Sequence, residues 1–236
     1  MKITKIATAL KTATFAIAAG AVALGLASPA GAASGTMYGD PAAAAKYWRY
    51  QKYDDCLIMA VADVVGQVTG KEPSEQAIIK VAQTTPSAVH PGSIYTKPAD
   101  TKNPNSGQGT SQADIATLLA HYGIDAVLTD LDNAPSNGVL TGMEALEHHL
   151  GNGRAVIVSV NAEMIWGVTI DNKDEAGNPV SDHAVVVTGV DTANGVVHLN
   201  DSGSDEGRDE QVPMALFMQA WATSQDFMAV TTQASN

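Results

Sequence analysis

The alternation of apolar and polar positions divides the chain into a helical first half and a strand-rich second half. From Cys56 to Gly70 the residues are apolar nearly all round, broken by Asp63 and Gly66. A helix of that kind is buried on most sides, and Gly70 is a natural C-terminal stop. A second helix is predicted from Ser74 to Ala82, just after Pro73, and a third from Thr110 to Gly123. Thr110 supplies an N-cap for the third, and Asp114 adds charge near its start. Between the last two, Thr85 to Gly109 holds four prolines and three glycines with little periodicity. A loop of that length inside a domain is uncommon and is usually functional.

The period then changes. Ile124 to Leu131 reads as a strand, Gly142 to Leu150 as a helix and Arg154 to Asn161 as a buried strand. His183 to Val190 and Val196 to Asn200 are two further strands around the turn Asp191 to Gly195. A helix at Pro213 to Trp221 and a strand near Phe227 to Thr231 complete the pattern. Helices first and mostly strands afterwards indicate an α+β fold in which sequential strands pair antiparallel.

Ahead of all this, Met1 to Lys11 carries three lysines and no acid, and Thr12 to Leu26 is an apolar, alanine-rich run. Small residues follow from Ser28 to Ala33, which marks residues 1–32 as a secretory signal cleaved after Ala32. The apolar run is shorter than the roughly 20 residues a spanning helix needs. The expectation is an exported protein with no membrane contact after cleavage. Residues 33–50 read as a tether or a short leading helix, and 51–236 as one domain, a length that supports a single sizeable core. Three of the 13 basic residues lie in the leader and all 25 acids lie after it. The exported part therefore carries a net charge of −15, ten bases against 25 acids. Nucleic acid and an anionic membrane both demand a basic face, and are excluded as main partners.

Cys56 is the only cysteine. Exported proteins use cysteines in pairs, so a single one is a candidate reactive thiol. A thiol is a weak nucleophile until it loses its proton, with a reference pKa of about 8.5 that a helix N-terminus or an imidazolium lowers. Cys56 opens the apolar helix, where backbone N–H groups are unpaired. Asp54 or Asp55 could cap that helix, and their charge would oppose a thiolate unless they point away. Gln51, five residues earlier, could aim a side-chain amide at a developing oxyanion alongside the Cys56 N–H.

Of six histidines, His183 is the best base, because it opens the strongest strand, at the rim of the sheet. Hairpin arithmetic tests the third member. A five-residue turn, Asp191 to Gly195, sets His183 opposite Gly203 and Asp201 opposite Val185. His183 and Asp201 are then diagonal neighbours on one face, roughly 7–8 Å apart. A two-residue turn at Asn194-Gly195 puts Asn200 there instead. Either can orient an imidazole, and the carboxylate Asp201 stabilises an imidazolium better.

With these residues together the chain resembles the papain-like cysteine peptidases, most closely the bacteriocin-processing, double-glycine leader peptidases and their stand-alone secreted relatives. The resemblance rests on Gln51, Asp55-Cys56, Gly109 to Ser111, Leu118 to Ile124, Asp182 to Gly189 and Leu199 to Asp201. It implies a nucleophile helix packed on an antiparallel sheet, with Cys56 as nucleophile, His183 as general base and acid, Asp201 as orienting residue and Gln51 as oxyanion donor. A peptide or protein substrate is implied. Two departures stand out. Leu57 follows the nucleophile where the family has glycine, and no transporter part accompanies the chain. An amidase or acyltransferase would use the same triad. The acids beside the thiol, Leu57 and the long loop also fit a non-catalytic binding module, in which Cys56 would resist thiol reagents. Acidic loops at Asp171 to Asn178 and Asp201 to Glu210 lack the alternating ligand spacing and mid-loop glycine of a helix-loop-helix calcium site. With no zinc, phosphate-loop or dinucleotide motif in the chain, no metal or cofactor is expected.

Overall fold

The strands of the second half pair into one antiparallel sheet whose two faces are both buried, which is why its central strands read as continuous apolar runs. The computed structural model describes residues 35–103, 107 and 109–235, and the leader expected at residues 1–32 lies outside them. The elements run β1 (Met37–Gly39), α1 (Pro41–Ala44), α2 (Cys56–Thr69), α3 (Glu75–Thr84), α4 (Ile115–Ala120), β2 (Ala126–Thr129), α5 (Ala134–Asn137) and α6 (Met143–Gly151). They continue with β3 (Arg154–Val160), α7 (Ala162–Ile165), β4 (His183–Asp191), β5 (Val196–Asn200), β6 (Glu210–Pro213), α8 (Met214–Ala222) and β7 (Met228–Ala234). The sheet order is β2-β7-β3-β4-β5-β6, and β1 joins the far end of β4.

Alternate residues of the central strands serve two cores. Ala155, Ile157, Ala184 and Val186 face helices α2, α3 and α4. Val156, Val158, Val185 and Val187 face α6 and α8 on the other side. Helix α2 is buried along most of its length and ends at Gly70, whose φ of 73° is the left-handed conformation a C-cap needs. The two interruptions in its apolar pattern both have causes. Gly66 leaves room for the ring of Tyr47, whose Cδ1 would lie 2.5 Å from an added Cβ. Asp63 is buried and hydrogen-bonded to Gln67 and Asn200, both at 2.7 Å.

Of the two readings of residues 33–50, the described residues show the short leading helix, α1 continued by a 3₁₀ turn at Ala45–Tyr47, with β1 ahead of it paired to β4 and the side chains of Ala44 and Tyr47 buried. Two expectations need correction. The third helix is shorter than its pattern suggested. A 3₁₀ turn at Gln112–Asp114 precedes α4, and Ser111, rather than Thr110, caps the turn. Asp114 is buried and accepts from the Ser87 hydroxyl and the Ala88 N–H, both at 2.7 Å, so it anchors the preceding loop. That loop is also packed through Ile94 and Tyr95, each 1% exposed. The elements the pattern missed, β1, α5, α7 and β6, are four residues or fewer, too short to show a period.

Burial pushes Asp55, Asp63, Glu72 and Glu210 each up to about 7. In an unfolded chain these groups titrate near about 4. A raised carboxyl favours the folded state below its unfolded pKa and loses that contribution as pH rises through the folded value. His183, raised well above the ordinary range, acts in the same direction. The melting temperature should therefore be higher at pH 5 than at pH 8. An equal or higher value at pH 8, by calorimetry, would refute this.

Candidate active site

Helix α2 begins at Cys56, where Asp55 turns the chain with a non-helical φ of −119° and ψ of 28°. Asp55 occupies the N-cap position but makes no cap hydrogen bond. Its Oδ1 accepts from the Tyr53 N–H at 3.3 Å, and its buried Oδ2 has no partner. Burial, reinforced by the charge of Glu75, holds this carboxyl protonated below about pH 7, so it does not oppose a neighbouring thiolate there. Leaving the helix uncapped costs about 0.5–2 kcal/mol. No capping side chain therefore competes for the first-turn N–H groups beside Cys56. Asp54, the other expected cap, instead accepts from the Tyr95 hydroxyl and the Gly109 N–H, both at 2.7 Å, and ties both arms of the long loop to the start of α2.

His183 opens β4 and is 6% exposed. Its Nε2 lies 2.6 Å from Oδ1 of Asp201, which is fully buried. Asp201 also accepts from Trp166 Nε1 at 2.9 Å and from the Gly203 N–H at 2.7 Å. Burial by itself would push His183 down, but the Asp201 carboxylate and Cys56 beside it hold the imidazole well above its ordinary range. Asp201, despite its burial, is held below the usual carboxylate range by His183. Cys56 lines the same cleft as the ring, whose nitrogen not held by Asp201 is Nδ1. Cys56, half-buried, and His183 line one cleft of about 180 Å³, walled by Leu57, Thr110, Asp182 and Phe227. A larger cavity of about 410 Å³ lies between the leading segment and α6 and includes neither Cys56 nor His183.

The pairing of His183 with Asp201 rather than Asn200 comes from a β-bulge. The turn matches neither sequence register, because Asp191 pairs with Val196 and the loop between them has four residues. Continued unchanged, that register would place Asn200 on the face of His183. Between Val187 and Gly189 it shifts, leaving Thr188 as the extra residue, so that Val187 opposes Leu199 and Val186 opposes Asn200. The ladder from there is the one a five-residue turn would give, and Asp201 faces the same way as His183. Asn200 points to the opposite face, toward Asp63.

Gln51 is tied to the acid rather than lying free. Its backbone N–H donates to Ser202 O at 2.9 Å, its Oε1 accepts from the Ser202 hydroxyl at 2.8 Å, and its Nε2 donates to Tyr53 O at 2.8 Å. One amide hydrogen remains for another acceptor. Trp48 Nε1 donates to Asp201 O at 2.6 Å, and Ala44 O accepts from Asn200 at 3.1 Å. The leading segment thus straps three successive residues, Asn200 to Ser202. Sequence reasoning missed Trp166, Gly203 and Trp48, which lie in segments without apolar periodicity. The ring of Trp166, 41% exposed, lies 5.3 Å from that of His183 and screens its bond to Asp201 from water. His198 forms a second histidine–carboxylate pair, with Asp209 at 2.7 Å.

Residues 40–227 match the model of the Peptidase_C39 like family. Uncharacterized proteins of Mycobacterium bovis and of Mycobacterium tuberculosis are 75% identical over 232 residues, spanning 98% of this chain and 100% of theirs. A crystal structure of a Bacillus anthracis protein described as a C39-like peptidase superposes with a TM-score of 0.55 at 18% identity, covering 85% of this chain and 100% of that one. The architecture is the α+β papain-like fold, as the sequence pattern implied.

Gly203 packs so closely that an added Cβ would stand 2.9 Å from both His183 Cε1 and Trp166 Cζ2. Gly203→Ala should displace the imidazole from Asp201, at an overpacking cost of about 1–3 kcal/mol. The His183 titration, followed by its ring protons in NMR, should then fall toward the ordinary value of about 6.5. A wild-type titration in the folded variant would contradict this account of the site.

Proposed function

The chain belongs to the Peptidase_C39 like family, and from that premise we propose that it is an exported cysteine peptidase acting through Cys56, His183 and Asp201. The observation that carries the reading is the imidazole of His183 bonded to the Asp201 carboxylate, at 2.6 Å, in one cleft with the thiol of Cys56. In the resting site the proton sits on His183, giving a thiolate–imidazolium pair. The thiolate attacks the carbonyl carbon of a peptide bond. The oxyanion is met by the Cys56 N–H at the uncapped start of α2 and by the remaining amide hydrogen of Gln51. His183 passes its proton to the leaving amine as the C–N bond breaks, and a thioester remains. Water, giving its proton to His183, attacks the thioester, and the acid product leaves as the thiolate re-forms. Asp201 keeps its charge and holds the ring in place. Export rests on the leader read at residues 1–32. The acidic surface suits peptide substrates without a strong negative charge.

Two measurements test the reading. Alkylation of Cys56 by iodoacetamide should be fast at pH 5 to 6 in the wild type. In His183→Ala it should be slow there and rise only near an ordinary thiol value of about 8.5. Identical profiles in the two proteins would leave the thiol ordinary and favour the binding module. With a cleavable peptide found by library screening, Gln51→Ala should lower kcat by about 10²–10³-fold while alkylation at pH 6 persists. An unchanged kcat would remove Gln51 from the oxyanion role.

A further inference from the structure

Helix α2 meets the β4–β5 pair at two polar points. One is Cys56 against His183. The other is Asp63, seven residues later, whose Oδ2 accepts from Asn200 Nδ2 at 2.7 Å. Seven residues are two helical turns, so both side chains lie on one face, about 10 Å apart along the axis. Asp63 and Asn200 are each 4% exposed, and Asp63 Oδ1 is occupied by Gln67 Nε2 at 2.7 Å. Arg49 and Glu72, themselves paired at 2.8 Å, are the charged groups that face Asp63, from the strap and from beyond the end of α2. An apolar residue at 63 would continue the helix pattern and stabilise it better than a buried carboxyl. What an apolar residue lacks is direction. It would let the helix slide or turn against the sheet, whereas a hydrogen bond to one strand residue fixes both.

Asn200 is bonded through the chain to Asp201, the partner of His183. We propose that Asp63 and Asn200 are a positioning pair that sets the distance between the thiol of Cys56 on α2 and the imidazole held by Asp201 on the sheet, a role that rests on the thiol-hydrolase reading above. Neither side chain touches the reacting atoms. Their bond, with the Ala44 carbonyl on the other hydrogen of the Asn200 amide at 3.1 Å, locks the end of β5 to the nucleophile helix. Loss of the lock lets the two halves of the site drift, and a misplacement of about 1 Å can cost about 10²-fold in rate.

The test separates positioning from stability. Asp63→Ala and the paired replacement Asp63→Leu with Asn200→Leu remove the bond, the second by taking away both of its partners and filling their space, with the Gln67 amide and the Ala44 carbonyl losing a partner as well. The paired variant should melt above Asp63→Ala, because leucine at both positions fills the space the alanine leaves empty. Both should nevertheless alkylate Cys56 at pH 6 about 10- to 100-fold more slowly, with a lowered His183 titration midpoint in NMR. Asp63→Asn, which can still accept from Asn200, should stay within about threefold of the wild type. Phe217→Leu, a core change on the far side of the sheet, should lower the melting temperature and leave both readouts alone. A folded paired variant with wild-type alkylation and a wild-type His183 midpoint overturns the proposal. Should Asp63→Ala or the pair not fold, Asn200→Ala cuts the same bond from the strand side and is read in the same way. If wild-type Cys56 is itself slow below pH 7, the hydrolase reading fails. The His183 midpoint then decides the positioning claim alone, an unchanged midpoint on loss of the bond sinking it and a lowered one supporting it.

Discussion

The constraint on which the rest of the site depends is the cost of keeping Asp201 ionised in a fully buried place. A carboxylate out of water must be met on every lone pair, or it takes up a proton. Here His183, Trp166 and the Gly203 N–H meet it directly. Around them the local structure is built to hold those donors still. Gly203 has no side chain because His183 and Trp166 occupy the space. Trp48 and Gln51 fix the carbonyls of the buried acid and of Ser202 after it. The same burial that makes the carboxylate costly also strengthens its hold on the imidazole, because few waters compete.

The start of α2 follows a complementary logic. Most helices satisfy their first N–H groups with a capping side chain. This one opens with two acids and uses neither as a cap. Asp54 points instead to Tyr95 and Gly109, from which it accepts hydrogen bonds. Asp55 is buried into its neutral form at acidic pH. The objection that two acids would repel a thiolate is thus met by geometry in one case and by burial in the other. Leu57, the departure from the family pattern, lies in the cleft wall beside Cys56.

Much of the fold was legible in the chain. Helices α2, α3, α6 and α8 and strands β3, β4, β5 and β7 are long enough to show their period, and each lies within a few residues of its expected place. The strap before α2 was not legible, because Ala33 to Tyr50 has no periodicity and its contacts are with residues some 150 positions away. Trp166 was invisible for the same reason. It has a role only because a loop returns it to the sheet end where His183 stands.

What the sequence determined by itself is the inventory and its order: one thiol at the head of a buried helix, one histidine at the head of a buried strand, and an amide and a carboxylate side by side at the end of the next. Those follow from local pattern, and local pattern is carried by neighbouring residues. What the tertiary structure alone decided is which of Asn200 and Asp201 faces the histidine. In a strand, side chains alternate between faces, so a slip of one residue exchanges the two. The turn set one register and the bulge at Thr188 changed it before the site was reached. A bulge is stabilised by packing on both faces of a sheet, and no stretch of β4 read alone records what lies on either side of it.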